Sequence, residues 1–260
     1  MQCIYFSPTR TTKTVVEAIS STLSNDPNTV LDLTLPDTVA SSAGSGPVII
    51  GMPVYGGRIP ALGAQRLSEQ VRGQGRPAVL VVVYGNRAFD DALLELRDLA
   101  EHLGFVPVAG AAFIGEHSFS TQACPVAPGR PDQEDMESAR KFGQAVREKL
   151  AQVTDISTLP RLHVPGNFPY RHGVPTAAIS PETLADVCVR CGACALVCPS
   201  GAITLTHDGI ETEKSLCVRC CACVRACAYE ARAMLDPKMV EFGQMLHAKF
   251  ARRAQPEVFL

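Results

Sequence analysis

Over residues 1–150, short apolar runs rich in β-branched residues alternate with longer segments whose apolar positions recur at helical spacing. The runs at residues 2–6, 29–32, 48–52, 78–83 and 106–113 predict strands. Residues 12–23, 61–70, 88–103 and 132–150 predict helices, with Asp90 and Asp132 as acidic starts that complement the helix dipole. This alternation implies an α/β, doubly wound parallel sheet with helices on both faces, and five strands fit the order 2-1-3-4-5. A ligand of such a sheet lies beyond the C-terminal strand ends, so the loops after the first, third and fourth strands form the candidate site.

Each of those loops is unusual. Ser7-Pro8-Thr9-Arg10-Thr11-Thr12-Lys13 is a hydroxyl-rich turn entering a helix, whose free N–H groups can hold a phosphate; a plain helix cap is the competing reading of this loop alone. Pro53-Val54-Tyr55-Gly56-Gly57-Arg58 offers two glycines for close backbone approach to a flat ligand, and a stacking ring in Tyr55. Tyr84-Gly85-Asn86-Arg87 follows the fourth strand. Singly these are ordinary turns; together, at one end of one sheet, they favour FMN over an empty scaffold. Arg58 and Arg87 would then place cations near the isoalloxazine ring, or else be two solvated loop arginines. His117 is a candidate hydrogen-bond partner of the flavin.

Further along, C-V-R-C-G-A-C-A-L-V-C-P places Cys188, Cys191, Cys194 and Cys198 at the C-x2-C-x2-C-x3-C-P spacing of bacterial ferredoxins. The pattern returns 29 residues later at Cys217, Cys220, Cys223 and Cys227, with Val189-Arg190 echoed by Val218-Arg219. Two-residue gaps let three thiolates of one loop reach three irons of a cubane, while the fourth comes from the other repeat. The ligands therefore interleave: Cys188, Cys191, Cys194 and Cys227 for one 4Fe-4S cluster, and Cys217, Cys220, Cys223 and Cys198 for the other. Zinc would use two CxxC pairs instead. Ala228 stands where Pro199 follows the first repeat, a loss expected to loosen that turn. Cys221 replaces Gly192 and reads as a spare buried thiol.

Length and charge narrow the picture. The 260 residues, 46% of them hydrophobic, suit two domains rather than one. With 24 Lys+Arg against 26 Asp+Glu there is no basic footprint for nucleic acid. No run of bilayer length and no signal peptide is found, so a cytoplasmic protein without a membrane partner is expected. In that compartment eleven cysteines point to metal ligation rather than disulfides. Pro160, Pro165, Pro169, Pro175 and Pro181 mark an ordered connector whose Phe168 and Tyr170 read as a hydrophobic anchor. Residues 240–260 read as a helix with Lys249, Arg252 and Arg253 on a solvated face. The expected division is 1–155, a connector 156–180, a cluster domain 181–237 and a tail 238–260.

The cysteine repeats, joined by Phe6-Ser7-Pro8-Thr9, Thr11-Thr12-Lys13, residues 53–60, Tyr84-Gly85-Asn86-Arg87, Phe113-Ile114-Gly115-Glu116-His117-Ser118, Gly129-Arg130-Pro131, Pro165-Gly166-Asn167 and Pro169-Tyr170, resemble the flavodoxin-ferredoxin fusion proteins of anaerobic microbes, of EFR type, over nearly the full length. Flavodoxins generally carry Gly-Asn where Arg10-Thr11 stands, which leaves Arg10 to contact phosphate directly. The resemblance implies an FMN domain wired to two 4Fe-4S clusters and implies no substrate. A flavin exchanges electron pairs with substrates and single electrons with clusters. The leading expectation is thus a reductase of a small molecule; the alternative is a carrier between redox partner proteins. Over residues 180–260 nine basic and nine acidic residues balance, which favours internal transfer over steering to many partners. Cys3, Cys124 and Cys221 would serve a third reading, a redox sensor. The sequence sets no oligomeric state.

Overall fold

The structure is a computed structural model describing residues 1–24, 28–36, 46–173 and 178–260; Pro175 of the connector lies outside them. The first part runs β1 (Gln2–Tyr5), α1 (Thr11–Leu23), β2 (Thr29–Asp32), β3 (Val48–Pro53), α2 (Ala61–Gln70), β4 (Pro77–Tyr84), α3 (Ala92–His102), β5 (Val106–Ile114) and α4 (Gln133–Ala151). Its strands pair in parallel in the order β2-β1-β3-β4-β5. Successive side chains alternate across each strand, so the sheet presents two apolar faces. Ile4, Ile50, Leu80 and Val82 pack with Leu67 of α2 and Leu93 and Leu96 of α3. Cys3, Tyr5, Ile49, Val79 and Val81 pack with Val15 and Ile19 of α1 and Phe142 and Val146 of α4. This is the flavodoxin-like, doubly wound arrangement.

Two helix starts differ in how they form. Asp132 caps α4 as expected, accepting from the backbone N–H groups of Glu134 and Asp135, and Asp135 answers it in a capping box. Asp90 does not start a helix; it sits in a left-handed turn (φ 45°) and α3 begins only at Ala92. Asp91, at the cap position, spends its carboxylate on the backbone N–H groups of Asn167 (2.8 Å) and Arg171 (2.7 Å) in the connector. Leu162 and Val164 bury the connector against the α3 face of the sheet. The Tyr170 hydroxyl donates to Asp98 at 2.6 Å, whereas Phe168 is 79% exposed, so the aromatic anchor is Tyr170 alone.

The cysteine-rich part contains β6 (Glu182–Thr183), α5 (Ala193–Leu196), β7 (Ile203–Leu205), β8 (Ile210–Thr212), α6 (Ala222–Arg225) and β9 (Arg232–Ala233), with β6 antiparallel to β9 and β7 to β8. Its second turn is not loosened by the missing proline. Glu230 N–H donates to the Cys227 carbonyl at 3.1 Å, as Gly201 N–H does to Cys198 at 3.2 Å, because Glu230 takes up the left-handed conformation (φ 54°) of Gly201 (φ 65°).

The tail is not one helix. α7 (Pro237–Lys249) ends at Lys249, before Arg252 and Arg253, and β10 (Glu257–Phe259) returns to the first part as a sixth, antiparallel strand on the edge of β5. Arg253, expected on a solvated face, pairs with Asp132 (2.6 Å) and Glu134 (2.9 Å). Lys249, Arg252 and Arg253 are all exposed, as expected of a solvated face. Among the described residues no helix is long and apolar enough to cross a membrane.

Candidate cofactor site

A cavity of about 380 Å³ opens at the C-terminal ends of the strands, within the range of small-molecule sites. Thr9 and Thr11 from the first loop line it, with Pro53, Val54, Tyr55, Gly56 and Gly57 from the second, Tyr84, Gly85 and Arg87 from the third, and the segment after β5 that includes His117. The facing wall comes from outside the sheet: Arg171, His172 and Gly173 of the connector, Val218 and Arg219 of the second cysteine loop, and Met239 and Phe242 of α7. Nothing local in the sequence marks connector and tail residues as site residues, since only the chain's return brings them there.

Ser7, Arg10, Thr12, Lys13, Arg58 and Asn86 do not line the cavity. In the first loop the Ser7 hydroxyl accepts from Lys13 N–H at 3.0 Å, Lys13 pairs with Glu17 at 3.7 Å, and the Arg10 side chain is exposed. Arg10 adopts a left-handed conformation (φ 67°) before α1 and caps no N–H with its side chain. The Thr12 hydroxyl is buried without a partner among the described residues. Uncapped N–H groups, an orphaned hydroxyl and the flanking Thr9 and Thr11 suit an anionic group such as a phosphate.

Arg58 is held away from the cavity. It donates to both carboxylate oxygens of Glu95 (2.7 and 2.6 Å) and to the Arg171 carbonyl (2.9 Å), and its guanidinium lies 4.7 Å over the Tyr170 ring. Arg87 does face the cavity, where it and Arg171 meet on one carboxylate, Asp90, with Arg171 at 2.6 Å. Two guanidinium groups on one carboxylate leave this wall net positive. The Asn86 amide is engaged elsewhere, donating to the carbonyls of Phe250 (2.6 Å) and Arg252 (2.8 Å) and accepting from Ala254 N–H (3.1 Å).

His117 lies directly on Gly85, where any side chain would collide with its ring. Its Nδ1 accepts from Phe119 N–H at 3.0 Å. Burial, reinforced by the Arg87 and Arg225 charges, pushes its pKa down to about 4. It is therefore a neutral imidazole with its proton on Nε2. Burial likewise holds the Tyr55 hydroxyl well above the usual phenol range, and the neighbouring Cys220 and Cys221 add to this.

Two smaller cavities lie in the cysteine-rich part. Cys188, Cys191, Cys194 and Cys227 line one, and Cys198, Cys217, Cys220 and Cys223 the other, with Cys221 beside them. Residues 181–204 match the 4Fe-4S binding domain family. The chain therefore joins a flavodoxin-like domain to a 4Fe-4S binding domain. No curated protein matches it at the sequence level. Among solved structures it is similar to a flavodoxin from the domain Archaea (15% identity, 58% of this chain and 100% of that one, TM-score 0.41). It is also similar to a metal-soaked flavodiiron core from Synechocystis (16%, 58% and 36%, 0.40) and to an NADH:FMN oxidoreductase in apo form (15%, 60% and 91%, 0.42).

The donor set suits iron-sulfur clusters. Arg190 and Arg219 (both φ 55°), Gly192 (φ 76°) and Cys221 (φ 58°) take left-handed conformations at matching positions of the two loops, curling each around its cavity. Burial pushes the thiols of Cys194, Cys217 and Cys223 up, and Cys220 to about 12; bound metal would reverse that by stabilising the thiolates. Ala231 N–H already donates to the Cys227 sulfur at 3.2 Å. Cys221 is buried in the loop, Cys3 in the sheet core, and Cys124 lies outside the large cavity.

Proposed function

We propose that the chain is an iron-sulfur flavoprotein of the flavodoxin-ferredoxin fusion type, with FMN in the large cavity and a 4Fe-4S cluster in each cysteine-lined cavity. It passes electrons from the clusters through the flavin to a small molecule. The observation that carries this reading is a shared wall: Val218 lines both the large cavity and the cavity of Cys198, Cys217, Cys220 and Cys223. Electron tunnelling falls off steeply with distance, so groups separated by one side chain exchange electrons readily. The Cys188 quartet contributes nothing to the large cavity, and Cys191, Val187, Val189 and Tyr229 around it are exposed. It is the side on which a protein donor meets the chain.

FMN, when bound, supplies the conversion between single electrons and electron pairs. Thr9, Thr11 and the start of α1 would hold its phosphate, and Tyr55 with Gly56-Gly57 would lie beside its ring. The positive group Arg87–Asp90–Arg171 favours negative charge on the reduced ring or on a substrate. His117, a neutral imidazole with its proton on Nε2, would be placed to donate to an oxygen of the bound flavin or substrate, a role in which it could stabilise developing negative charge. A carrier between proteins needs no such donor, which favours the reductase.

Anaerobic purification should yield about eight iron atoms and about one FMN per chain. A colourless, zinc-loaded or flavin-free chain would sink the proposal. If the reduced protein is reoxidised by redox proteins but by no small molecule, it is a carrier instead.

A further inference from the structure

The two cysteine-lined cavities have one lining residue in common, Arg232. Its side chain is buried (3% exposed). One terminal nitrogen donates to the Thr183 hydroxyl at 2.6 Å; the other donates to the Thr212 hydroxyl at 3.2 Å and approaches the Cys223 sulfur at 3.8 Å. Among the described residues its Nε has no partner and no carboxylate pairs with it. A guanidinium cannot shed its charge, and burying it without a counter-charge is strongly unfavourable.

Buried arginines elsewhere in the chain face carboxylates or carbonyls rather than sulfurs; Arg76, which also leaves one nitrogen without a partner among the described residues, donates to the Gly46 carbonyl and the Gln2 side chain. Arg130 pairs with Asp135, and Arg66 donates to the carbonyls of Leu33, Thr34 and Pro199. The repeat register sharpens the contrast. Arg232 stands 29 residues after Ile203, which is buried and apolar as the surroundings require. The second repeat has thus placed a permanent cation at a buried position lining both cavities, between two groups of sulfurs. The anions nearest to it are those sulfurs once they are thiolates.

We propose that Arg232 is a positioning residue shared by both clusters, whose charge raises the reduction potential of each. Reduction adds one electron to a cluster from an external one-electron reductant and makes it more negative; a fixed cation between the two stabilises that product at either site. The inference rests on the cluster occupancy proposed above.

The test uses the full chain carrying Arg232→Gln or Arg232→Lys, purified anaerobically, with iron counted and both clusters titrated with dithionite by electron paramagnetic resonance. Arg232→Gln, which removes the charge and shortens the side chain while keeping a polar amide, should shift both potentials downward, and Arg232→Lys, which keeps the charge, should stay near the parent. Unchanged potentials in Arg232→Gln with iron intact, movement of only one cluster, or an equal shift in Arg232→Lys would each overturn the role. If Arg232→Gln loses its iron, retention by Arg232→Lys supports a requirement for charge and loss by both overturns it. Iron missing from the parent chain would overturn the occupancy itself, so the two failures are told apart by the parent's iron count.

Discussion

Which carboxylate reaches an arginine decides what that arginine does in this molecule. Arg58 and Arg87 look alike in the sequence, each following a glycine turn at a strand end, but Glu95 in α3 draws Arg58 into a paired contact while Asp90 keeps Arg87 and Arg171 at the cavity wall. Arg58→Ala should therefore cost about 2 kcal/mol of stability and leave FMN affinity unchanged. Arg171→Ala should weaken FMN binding about tenfold, or about 1.4 kcal/mol. Urea unfolding and calorimetric titration of the flavin-stripped chain check both, and weakened FMN binding in Arg58→Ala would reverse the assignment. His117 carries a pH signature of the same kind. Its folded pKa of about 4 lies below the ordinary histidine value, so between about pH 6.5 and 4 the unfolded chain binds the extra proton. Stability is full above that window and falls as pH drops through it, by about 1.4 kcal/mol per pH unit. His117→Asn, whose side-chain oxygen can keep the bond from Phe119 N–H, should lack this slope. Equal slopes in the two chains, measured by unfolding midpoints from about pH 7 to about pH 5, would show that His117 is not buried as a neutral ring.

At the scale of elements, the tail is the least expected part and the one that closes the molecule. β10 adds only three residues to the sheet, yet Asn86, Arg130 and Arg253 all fasten the segment leading to it. α7 meanwhile packs Phe242 edge-on against Phe119, and His247 bonds the Pro125 carbonyl at 2.8 Å. Asn86→Gly keeps the left-handed backbone (φ 63°) but removes the amide. It should loosen the tail by about 2 kcal/mol, seen as faster hydrogen exchange at 257–259 with β1 to β4 unaffected. Unaltered exchange at β10 would mean the amide is dispensable. The strands of the parallel sheet could be read from the sequence because each is a local apolar run, and the cysteine loops because ligand spacing is itself local. β10 could not: Glu257-Val258-Phe259 is too short to show a period, and its partner lies about 145 residues upstream. Asp90 failed as a helix start for a similar reason. The neighbouring Asp91 is claimed by connector N–H groups far along the chain, and the turn they impose delays α3 to Ala92. Arg171 and Arg219 reach the cavity only through tertiary return, and Arg232 shows its oddity only when the two repeats are laid in register against buried neighbours.

Taken as a whole, the molecule couples a part that has its own core to a part that does not. The sheet buries apolar side chains on both faces, whereas the buried apolar cluster of the cysteine-rich part is Cys194, Ile203 and Cys223, two of them candidate metal ligands. A domain this small cannot offset its chain entropy with so little apolar burial. Metal binding must supply its folding free energy. Among the described residues, the polar contacts that dock it include Arg225 with Glu116 (3.1 Å) and the His117 carbonyl (3.3 Å), and Arg66 with the Pro199 carbonyl (2.7 Å). Stripping iron with a chelator under air should therefore unfold residues 181–236 while the sheet and β10 keep their protection. Hydrogen exchange by mass spectrometry would show peptides from the cysteine loops moving to full exchange and those from β1 to β5 unchanged. The large cavity would then lose Val218 and Arg219 from its wall, so FMN should bind the stripped chain about tenfold more weakly, or about 1.4 kcal/mol. Persistent protection of the cysteine loops after iron loss would show that the protein chain alone holds that domain together, and the dependence of its fold on metal would have to be abandoned.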